Sequence, residues 1–424
     1  MKTGNSPARI EDVYGAAKET YAKFGVSSDK AIKSALALPV SIHCWQGDDV
    51  LGFENSGPLS GGILATGNYP GRARNGDELR SDAEFAFALI PGKKRFNLHS
   101  FYAEPGKGKV SRDMIRPEHF SKWMSWSKKK KIPLDFNPSY FSHPMAGSGY
   151  TLASADPKIR RFWIRHSIAC RRIASAFGAN QGVPAVNDIW IPDGSKDYPA
   201  DRISPRERLK DALDEIFSEK LPALTITDAL ECKLFGIGSE AYVVGSHEFY
   251  MAYAVKKQIK LCLDTGHFHP TETIADKISA ALLFVPGLLI HFSRGLRWDS
   301  DHVSTFSDEM RDACRELKRA DAFGRVDIAL DYFDASINRI AAWVIGARNL
   351  RKALLESLLE PTKLIVDAEK RGKNHERLAL MEECKTLPFA AVWDKLCLTA
   401  GVPVNAEWLG NVNDYEQKVL SKRK

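Results

Sequence analysis

The chain alternates between short apolar segments and longer stretches in which apolar residues recur every three or four positions. The short segments have the length of strands, and the periodic stretches have the repeat of amphipathic helices. Eight strands are predicted, beginning near residues 38, 96, 132, 185, 229, 259, 288 and 326. Because most of them are followed by a helical stretch, the pattern predicts an α/β fold, a (β/α)8 TIM barrel rather than an open sheet.

Helical segments flank this barrel at both ends of the chain. Two short helices, 8–24 and 28–37, are predicted before the first strand, so residues 1–37 form an N-terminal helical segment. The catalytic barrel is predicted to occupy residues 38–360. Residues 361–424 exceed what a barrel needs, and we expect a C-terminal helical extension there that serves as an oligomer contact.

The clearest helix is predicted over residues 156–178. Asp156 can cap its first turn, Pro157 suits the start of a helix, and Gly178 can end it. His166 lies inside this helix, where we expect it to serve in packing or at the surface.

Residues with metal-binding side chains gather at two predicted strand ends between positions 260 and 302. They are Asp264, His267, His291, Asp299 and Asp301. A predicted helix, roughly 273–284, separates the two strands, and a parallel βαβ unit brings both strand ends to one face. Any one such residue is more often a helix cap or a turn former. Together they indicate a divalent-metal site.

Two further predicted strands end in polar residues that we expect at the same face. One carries Glu231 and Lys233, and the other carries Asp331 and Asp334. Many carboxylates, fewer imidazoles and no thiolate favour Mn²⁺ or Mg²⁺ over structural zinc. The carboxylates exceed the need of one ion, so some would bridge two ions, pair with Lys233 or act as bases. A buried lysine beside a metal is suited to polarising a substrate oxygen.

Two other classes of enzyme remain open on these residues. Gly236-x-Gly238 follows a predicted strand and precedes a weak helix, a pattern typical of an NAD-dependent sugar oxidoreductase. The strand before it contains Glu231 and Lys233, which argues against that fold. A metal-dependent TIM-barrel hydrolase typically has a His-x-His motif after the first strand. This chain has His43-Cys-Trp45 at that position, which argues against a hydrolase.

Composition limits the partners and the cellular location that we expect for this protein. The net charge of +7 is spread along the chain, and Lys128–Lys131 is the only basic run, so we expect no nucleic-acid partner. The N-terminus has no apolar signal core and the longest apolar run is too short to span a bilayer, so we expect no membrane contact. Seven cysteines without a C-x-x-C pair indicate a reducing, cytoplasmic location.

Nine segments resemble the L-rhamnose isomerase family, from about residue 10 to the C-terminus. They are SIHCWQGDD (41–49), GNYPG (67–71), ACRRI (169–173), IWIPDG (189–194), KLFGIGSE (233–240), VVGSHEFY (243–250), LDTGHFHPTE (263–272), RWDSDHV (297–303) and LDYFDASINR (330–339). The resemblance implies an aldose–ketose isomerase on a xylose-isomerase-like barrel that interconverts L-rhamnose and L-rhamnulose. It also implies a homotetramer.

The resemblance implies two Mn²⁺ sites per subunit, with Mg²⁺, Co²⁺ or Zn²⁺ as substitutes. The structural metal would be held by Glu231, Asp264, His291 and Asp331. The catalytic metal would be held by His267, Asp299 and Asp301. Neither assignment follows from spacing, which indicates only that these groups can converge.

The same resemblance places Lys233 near the substrate carbonyl and makes Asp301 and His267 catalytic. His99 would assist ring opening, and Trp190, with Phe53 and Trp45, would pack the 6-methyl group of a deoxysugar. Hydrogen would move between C1 and C2 as a hydride, with proton transfer through an enediol as the rival mechanism. The choice among related sugars stays open, since they differ by a methyl group or one hydroxyl configuration.

Overall fold

The computed structural model describes residues 6–54, 67–106, 108–233, 240–296 and 300–423. At its centre, eight parallel strands close into a barrel in which each strand pairs with its neighbours in the chain and the last pairs with the first. The strands are β1 (Val40–His43), β2 (Lys94–His99), β3 (Leu134–Asn137), β4 (Ala185–Trp190), β5 (Ile226–Glu231), β6 (Lys260–Asp264), β7 (Leu288–Phe292) and β8 (Val326–Leu330). The predicted (β/α)8 barrel is confirmed.

Helices surround the barrel, and α3 to α10 each follow one strand in chain order. The α-helices of the described residues are α1 (Pro7–Lys23), α2 (Ser28–Ala37), α3 (Gly76–Phe87), α4 (Ser121–Lys130), α5 (Pro157–Gln181), α6 (Ile203–Ile216), α7 (His247–Lys257), α8 (Ala275–Leu282), α9 (Asp308–Arg319), α10 (Arg339–Leu359), α11 (Thr362–Lys370), α12 (Asn374–Glu383), α13 (Phe389–Thr399) and α14 (Trp408–Lys418). None of these helices is long and apolar enough to cross a membrane.

A layer of small and medium apolar side chains fills the inside of the barrel. Its members are Val186, Ala229, Cys262, Leu289 and Ala329, one from each of β4 to β8. In β8 the flanking Ile328 and Leu330 belong instead to the large core that the strands form with the helices. Alternate residues of these strands therefore face the barrel interior and the helical shell.

The two ends of the chain pack against each other in a second apolar core. Tyr14 and Ile32 of the N-terminal helices meet Leu355 of α10 and Trp393 of α13 there. Much of the C-terminal extension thus folds back on its own chain. The domain boundaries predicted at residues 38 and 361 stay predictions.

The last helix, α14, packs against the first helix of the barrel. Tyr415 stacks on Phe85 with ring centres 4.1 Å apart and donates a hydrogen bond of 2.7 Å to Asp82. Arg423 also pairs with Asp82, at 2.5 Å. This end of the chain is therefore anchored by both apolar and charged contacts.

The predicted end of α5 at Gly178 is wrong. The helix continues to Gln181 and ends at Gly182, whose φ of 74° is the left-handed conformation that favours glycine. Gly178 serves a different purpose, since a Cβ there would lie 1.8 Å from the carbonyl oxygen of Thr225. Glycine at 178 lets the helix approach the chain just before β5.

His166 of α5 is fully buried. Its Nδ1–H donates to the carbonyl oxygen of Arg112 at 2.9 Å, and its Nε2 accepts the N–H of Ser139 at 3.3 Å. His166 therefore serves in packing and does not lie at the surface, which is one of the two alternatives that the sequence left open.

Candidate metal centre

Five neighbouring strands place a polar side chain at one level of the barrel. These residues are Asp188, Glu231, Asp264, His291 and Asp331, and each lies two positions after a member of the apolar interior layer. Since side chains on one face of a strand repeat every two residues, all five face the barrel interior just beyond that layer. Strand register keeps them level, because Asp264 pairs with His291 across β6 and β7.

Four of these residues form a compact group, which we call the strand-end tetrad: Glu231, Asp264, His291 and Asp331. Each offers one ligand atom, and the four atoms lie within 4.8 Å of one another. Nδ1 of His291 lies 3.4 Å from Oε1 of Glu231 and 3.3 Å from Oδ2 of Asp331. These separations suit ligands that converge on one cation.

Several ligand atoms of the tetrad lack a hydrogen bond. Among the described residues, Oε1 of Glu231, Oδ2 of Asp264 and Nδ1 of His291 are buried and have no hydrogen-bond partner. A buried polar atom left in this state costs free energy unless something else satisfies it. Three such atoms within one group fit a bound cation.

Neighbouring groups orient the tetrad. Oδ1 of Asp264 accepts the N–H of Gly266 and the hydroxyl of Ser293, both at 2.6 Å, which leaves Oδ2 for the tetrad. On the opposite side, Nε2 of His43 accepts the N–H of Tyr332 at 2.9 Å, and Tyr332 directly follows Asp331. Such second contacts fix the direction of a ligand before a metal binds.

Burial and neighbouring charges strongly shift the pKa values of the carboxyl groups in and beside the tetrad. Burial raises the pKa of Asp264 to about 7. Burial opposes ionisation of Glu231 too, but the facing His291 and His267 hold its pKa well below the ordinary value. Burial, and then the charge of Glu231, raises the pKa of Asp188 well above its ordinary value. Buried carboxylates this close together require a positive counter-charge if they are to stay ionised.

The residues predicted for a second cation lie beside the tetrad or outside the described chain. Nδ1 of His267 lies 3.1 Å from Oε1 of Glu231. Asp301 is half-buried, and its carbonyl oxygen accepts the N–H of Phe333 at 3.2 Å. Asp299, the third of these residues, lies outside the described residues.

Lys233 is buried next to the predicted substrate-binding Trp190. Its Nζ lies 5.3 Å from the centre of the Trp190 ring, within range of a cation–π contact. The Trp190 ring is parallel to that of His267, with centres 6.4 Å apart. Lys233, Trp190 and His267 therefore border one region above the tetrad.

His99 belongs to a wall of aromatic rings on the other side. It stacks on Trp45 with ring centres 4.2 Å apart, and Phe141 lies edge-on to both His99 and Trp190. Burial lowers the pKa of His99 well below its ordinary value, so this imidazole is neutral. Phe53 does not join this wall and packs edge-on to Tyr102 instead.

Two further polar residues near the strand ends, Asp334 and His269, form turns. Oδ1 of Asp334 accepts the N–H of Ser336 at 2.9 Å, and Nδ1 of His269 lies 2.7 Å from the hydroxyl of Thr271. Neither residue belongs to the tetrad. The Gly236-x-Gly238 fingerprint falls outside the described residues.

Sequence reasoning missed Asp188. It ends a chain of hydrogen bonds inside the barrel, in which Asn97 donates to Asn137 at 2.7 Å and Asn137 donates to Oδ2 of Asp188 at 3.0 Å. The sequence of β4 contains the pattern that predicts this position. Val186, Asp188 and Trp190 are two residues apart, so Asp188 lies between two apolar residues on the same face of the strand. A carboxylate between two inward-facing apolar residues marks a buried polar position.

Comparison with known proteins gives a consistent result. The family model for L-rhamnose isomerase (RhaA) matches residues 8–423. An L-rhamnose isomerase from Rhodopirellula baltica is 57% identical over 420 residues, covering 99% of this chain and 98% of that protein. One from Yersinia pseudotuberculosis serotype IB is 58% identical over 415 residues, covering 98% and 99%.

The solved structures that match this chain are distant from it. An L-ribulose 3-epimerase has 11% identity and a TM-score of 0.49, covering 75% of this chain and 95% of that one. A D-allulose 3-epimerase from Methylomonas sp. has 14% identity and a TM-score of 0.47, covering 76% and 96%. The family model and the sequence relatives, which span nearly the whole chain, decide the assignment. This chain belongs to the L-rhamnose isomerase family.

Proposed function

We propose that this protein is an L-rhamnose isomerase, which interconverts L-rhamnose and L-rhamnulose with the help of divalent cations. The observation that carries the proposal is the strand-end tetrad, a buried group of ligand atoms at the carboxyl ends of β5 to β8. Barrel enzymes carry their active sites at this end. Family membership over residues 8–423 supports the same reaction.

We propose two Mn²⁺ ions per chain, with Mg²⁺, Co²⁺ or Zn²⁺ as substitutes. The tetrad would hold the structural ion, and its three carboxylates and one imidazole suit an oxygen-preferring cation. His267, Asp299 and Asp301 would hold the catalytic ion. The 3.1 Å contact between His267 and Glu231 supports two adjacent positions.

The proposed reaction moves hydrogen between C1 and C2 of an open-chain sugar. When bound, the catalytic cation would stabilise negative charge on O1 and O2 of the substrate. The Lys233 ammonium would bind the carbonyl oxygen O1. Asp301 would accept the proton of the O2 hydroxyl and return it to O1 once the hydrogen has moved to C1. The hydrogen at carbon would move as a hydride, with an enediol route as the rival.

The remaining residues would prepare the substrate. His99 is buried and its Nε2 has no hydrogen-bond partner among the described residues, so this nitrogen can bind a sugar hydroxyl during ring opening. The apolar face of Trp190 would contact the C6 methyl group of the sugar. The wall that includes Trp45 and Phe141 would exclude water from this side of the site.

We propose that the working unit is a homotetramer in the cytoplasm. Helix α12 has no buried residue, and Leu364, Val366 and Leu378 of α11 and α12 are exposed, so these helices are candidate subunit contacts. Each of the seven cysteines is a free thiol, which suits a reducing compartment. A monomer in light scattering at micromolar concentration would contradict the tetramer.

The reaction is tested by assaying conversion of L-rhamnose before and after EDTA treatment, with Mn²⁺ then restored. We expect activity to vanish with EDTA and return with Mn²⁺. NAD⁺-dependent turnover of a sugar alcohol without metal-dependent isomerisation would instead favour the oxidoreductase alternative. Metal-dependent hydrolysis without isomerisation would favour the hydrolase.

Two histidines of one loop provide a matched pair of variants. We expect His267→Gln to remove nearly all activity because His267 borders the tetrad. His269→Gln should keep it because His269 is exposed and forms a turn with Thr271. Equal activity of both variants would contradict the role given to His267.

A further inference from the structure

Cys262 lies inside the barrel directly below the tetrad. It precedes Asp264 by two residues on β6, so both side chains face the barrel interior. Cys262 also belongs to a second group of ligand atoms, with Asp188, Glu231 and His291. One atom from each of these four residues lies within 4.8 Å of the others.

An independent observation points to a ligand at this second group. Asp188 and His291 are each 2% exposed and Glu231 is 1% exposed. Oδ1 of Asp188, which is not part of the tetrad, has no hydrogen-bond partner among the described residues. The unpartnered Oε1 of Glu231 and Nδ1 of His291 are shared with the tetrad. Asp188 is held through its other oxygen by Asn137, so Oδ1 is the atom that remains for a ligand.

We propose that Asp188, Glu231, Cys262 and His291 form a second cation position, the lower site, which takes a thiophilic divalent ion such as Zn²⁺, Cd²⁺ or Co²⁺. One thiolate, one imidazole and two carboxylates form a donor set that suits tetrahedral coordination. Mn²⁺ and Mg²⁺ prefer oxygen ligands, so they would favour the tetrad.

The geometry requires only small movements. Ligand atoms around a tetrahedral zinc lie about 3.3–3.8 Å apart, given bond lengths of about 2.0–2.3 Å. A cavity inside the barrel, lined by Asn97, Asn137, Asp188 and His291, leaves room for the side chains of Asp188 and His291 to adjust. Formation of the metal–sulfur bond releases the thiol proton to solvent, with no change in oxidation state.

The lower site shares Glu231 and His291 with the tetrad. A cation in the lower site therefore draws both ligands away from the tetrad, and the two positions compete. The consequence for catalysis rests on the function proposed above: an ion held in the lower site would inhibit the enzyme by taking Glu231 and His291 from the tetrad, whereas the same ion held in the tetrad would substitute for Mn²⁺. The binding site itself stands on the geometry alone.

The test is a titration of the full chain, freed of metal with EDTA, with Co²⁺ alone. A thiolate ligand gives Co²⁺ an intense charge-transfer absorption in the near ultraviolet, which oxygen and nitrogen ligands do not give. We expect this band in the wild-type protein and its loss in Cys262→Ser and Cys262→Ala. Absence of the band from the wild type, or its survival in folded Cys262 variants, would overturn the proposal.

Cys232→Ser is the matched control. Cys232 follows Glu231 directly and is equally buried, but it belongs to the core between the barrel and the helices. It should keep the band. Loss of the band in Cys232→Ser but not in Cys262→Ser would mean that Cys232 supplies the thiolate, which would overturn the proposal. Far-UV circular dichroism and thermal unfolding establish that each variant is folded.

Two further measurements address the other ligands and the competition. Asp188→Asn should keep the band but raise the Co²⁺ concentration at its midpoint. Added Mn²⁺ should raise the midpoint of the wild type in proportion to its concentration, because the ligands are shared. A midpoint independent of Mn²⁺ would overturn the shared site. Because absorption is read without substrate, failure of the isomerase proposal would leave this result unchanged.

Discussion

Oε1 of Glu231 lies 3.1 Å from Nδ1 of His267. In the proposed arrangement these residues belong to different cation positions, so the contact couples the two. Replacing the carboxylate of Glu231 should therefore disturb both positions, while replacing a ligand remote from His267 should disturb one.

Glu231→Gln is expected to lower the affinity for both cations, whereas Asp331→Asn should mainly weaken the structural one. Loss of one charged ligand typically weakens metal binding by at least 10–100-fold, on the order seen for supporting residues. Isothermal titration of the EDTA-treated proteins with Mn²⁺ would measure both steps. Identical binding curves for the two variants would contradict the coupling.

Asp301→Asn should keep the fold and lose turnover by roughly 10²–10⁴-fold, the usual size of an acid–base contribution. Asp301 has a φ of 45°, in the left-handed region, which asparagine tolerates better than most residues. The substitution therefore removes charge without straining the backbone. Steady-state assays with a thermal unfolding control would measure this, and a fully active Asp301→Asn protein would remove Asp301 from the mechanism.

Lys233→Met should lower kcat by roughly 10²–10³-fold, since it removes a positive group from a developing oxyanion. Methionine keeps an unbranched apolar side chain against the Trp190 ring, which Lys233 Nζ approaches to 5.3 Å. Packing is thus largely preserved. Unchanged kcat and KM would mean that Lys233 has only a structural role, as the cation of a cation–π contact.

Much of this fold could be predicted from the sequence because its signals are local. Apolar runs of strand length alternate with helical periods, and a closed parallel barrel brings all strand ends to one face. These signals predict neighbouring strand ends for Glu231, Asp264, His291 and Asp331, and the structure groups the four residues there.

Features that depend on contacts between strands could not be predicted in the same way. The 3.1 Å approach of Glu231 to His267 depends on strand register, which a single parallel strand does not encode. The roles of Asp188 and Cys262 at the barrel centre depend on which face of each strand points inward. Gly178 was misjudged because glycine ends helices and also permits close packing, and only the Thr225 carbonyl distinguishes the two.

Gly178→Ala should destabilise the protein even though alanine is the better helix former. The gain in helix propensity is about 1 kcal/mol. A Cβ at 1.8 Å from the Thr225 carbonyl oxygen would force backbone movement, and overpacking of this kind costs about 1–3 kcal/mol or more. Gly15→Ala on the exposed face of α1, where nothing lies within 4 Å, should instead stabilise by about 0.5–1 kcal/mol. Urea unfolding of both variants tests the contrast, and a stabilised Gly178→Ala protein would refute it.

His166 should make the protein less stable as the pH falls from 6.5 towards 3. Burial and the Arg112 guanidinium lower the pKa of His166 to about 3. Between that value and the ordinary pKa of about 6.5, the unfolded chain binds a proton that the folded protein does not, so acid favours unfolding by up to about 5 kcal/mol. His166→Gln can keep both hydrogen bonds, to the Arg112 carbonyl and the Ser139 N–H, without titrating. Its unfolding free energy should therefore fall less between pH 7 and pH 4 than that of the wild type, whereas exposed His375→Gln should follow the wild type. Parallel pH profiles for the wild type and His166→Gln would mean that His166 is not the group that couples folding to acid.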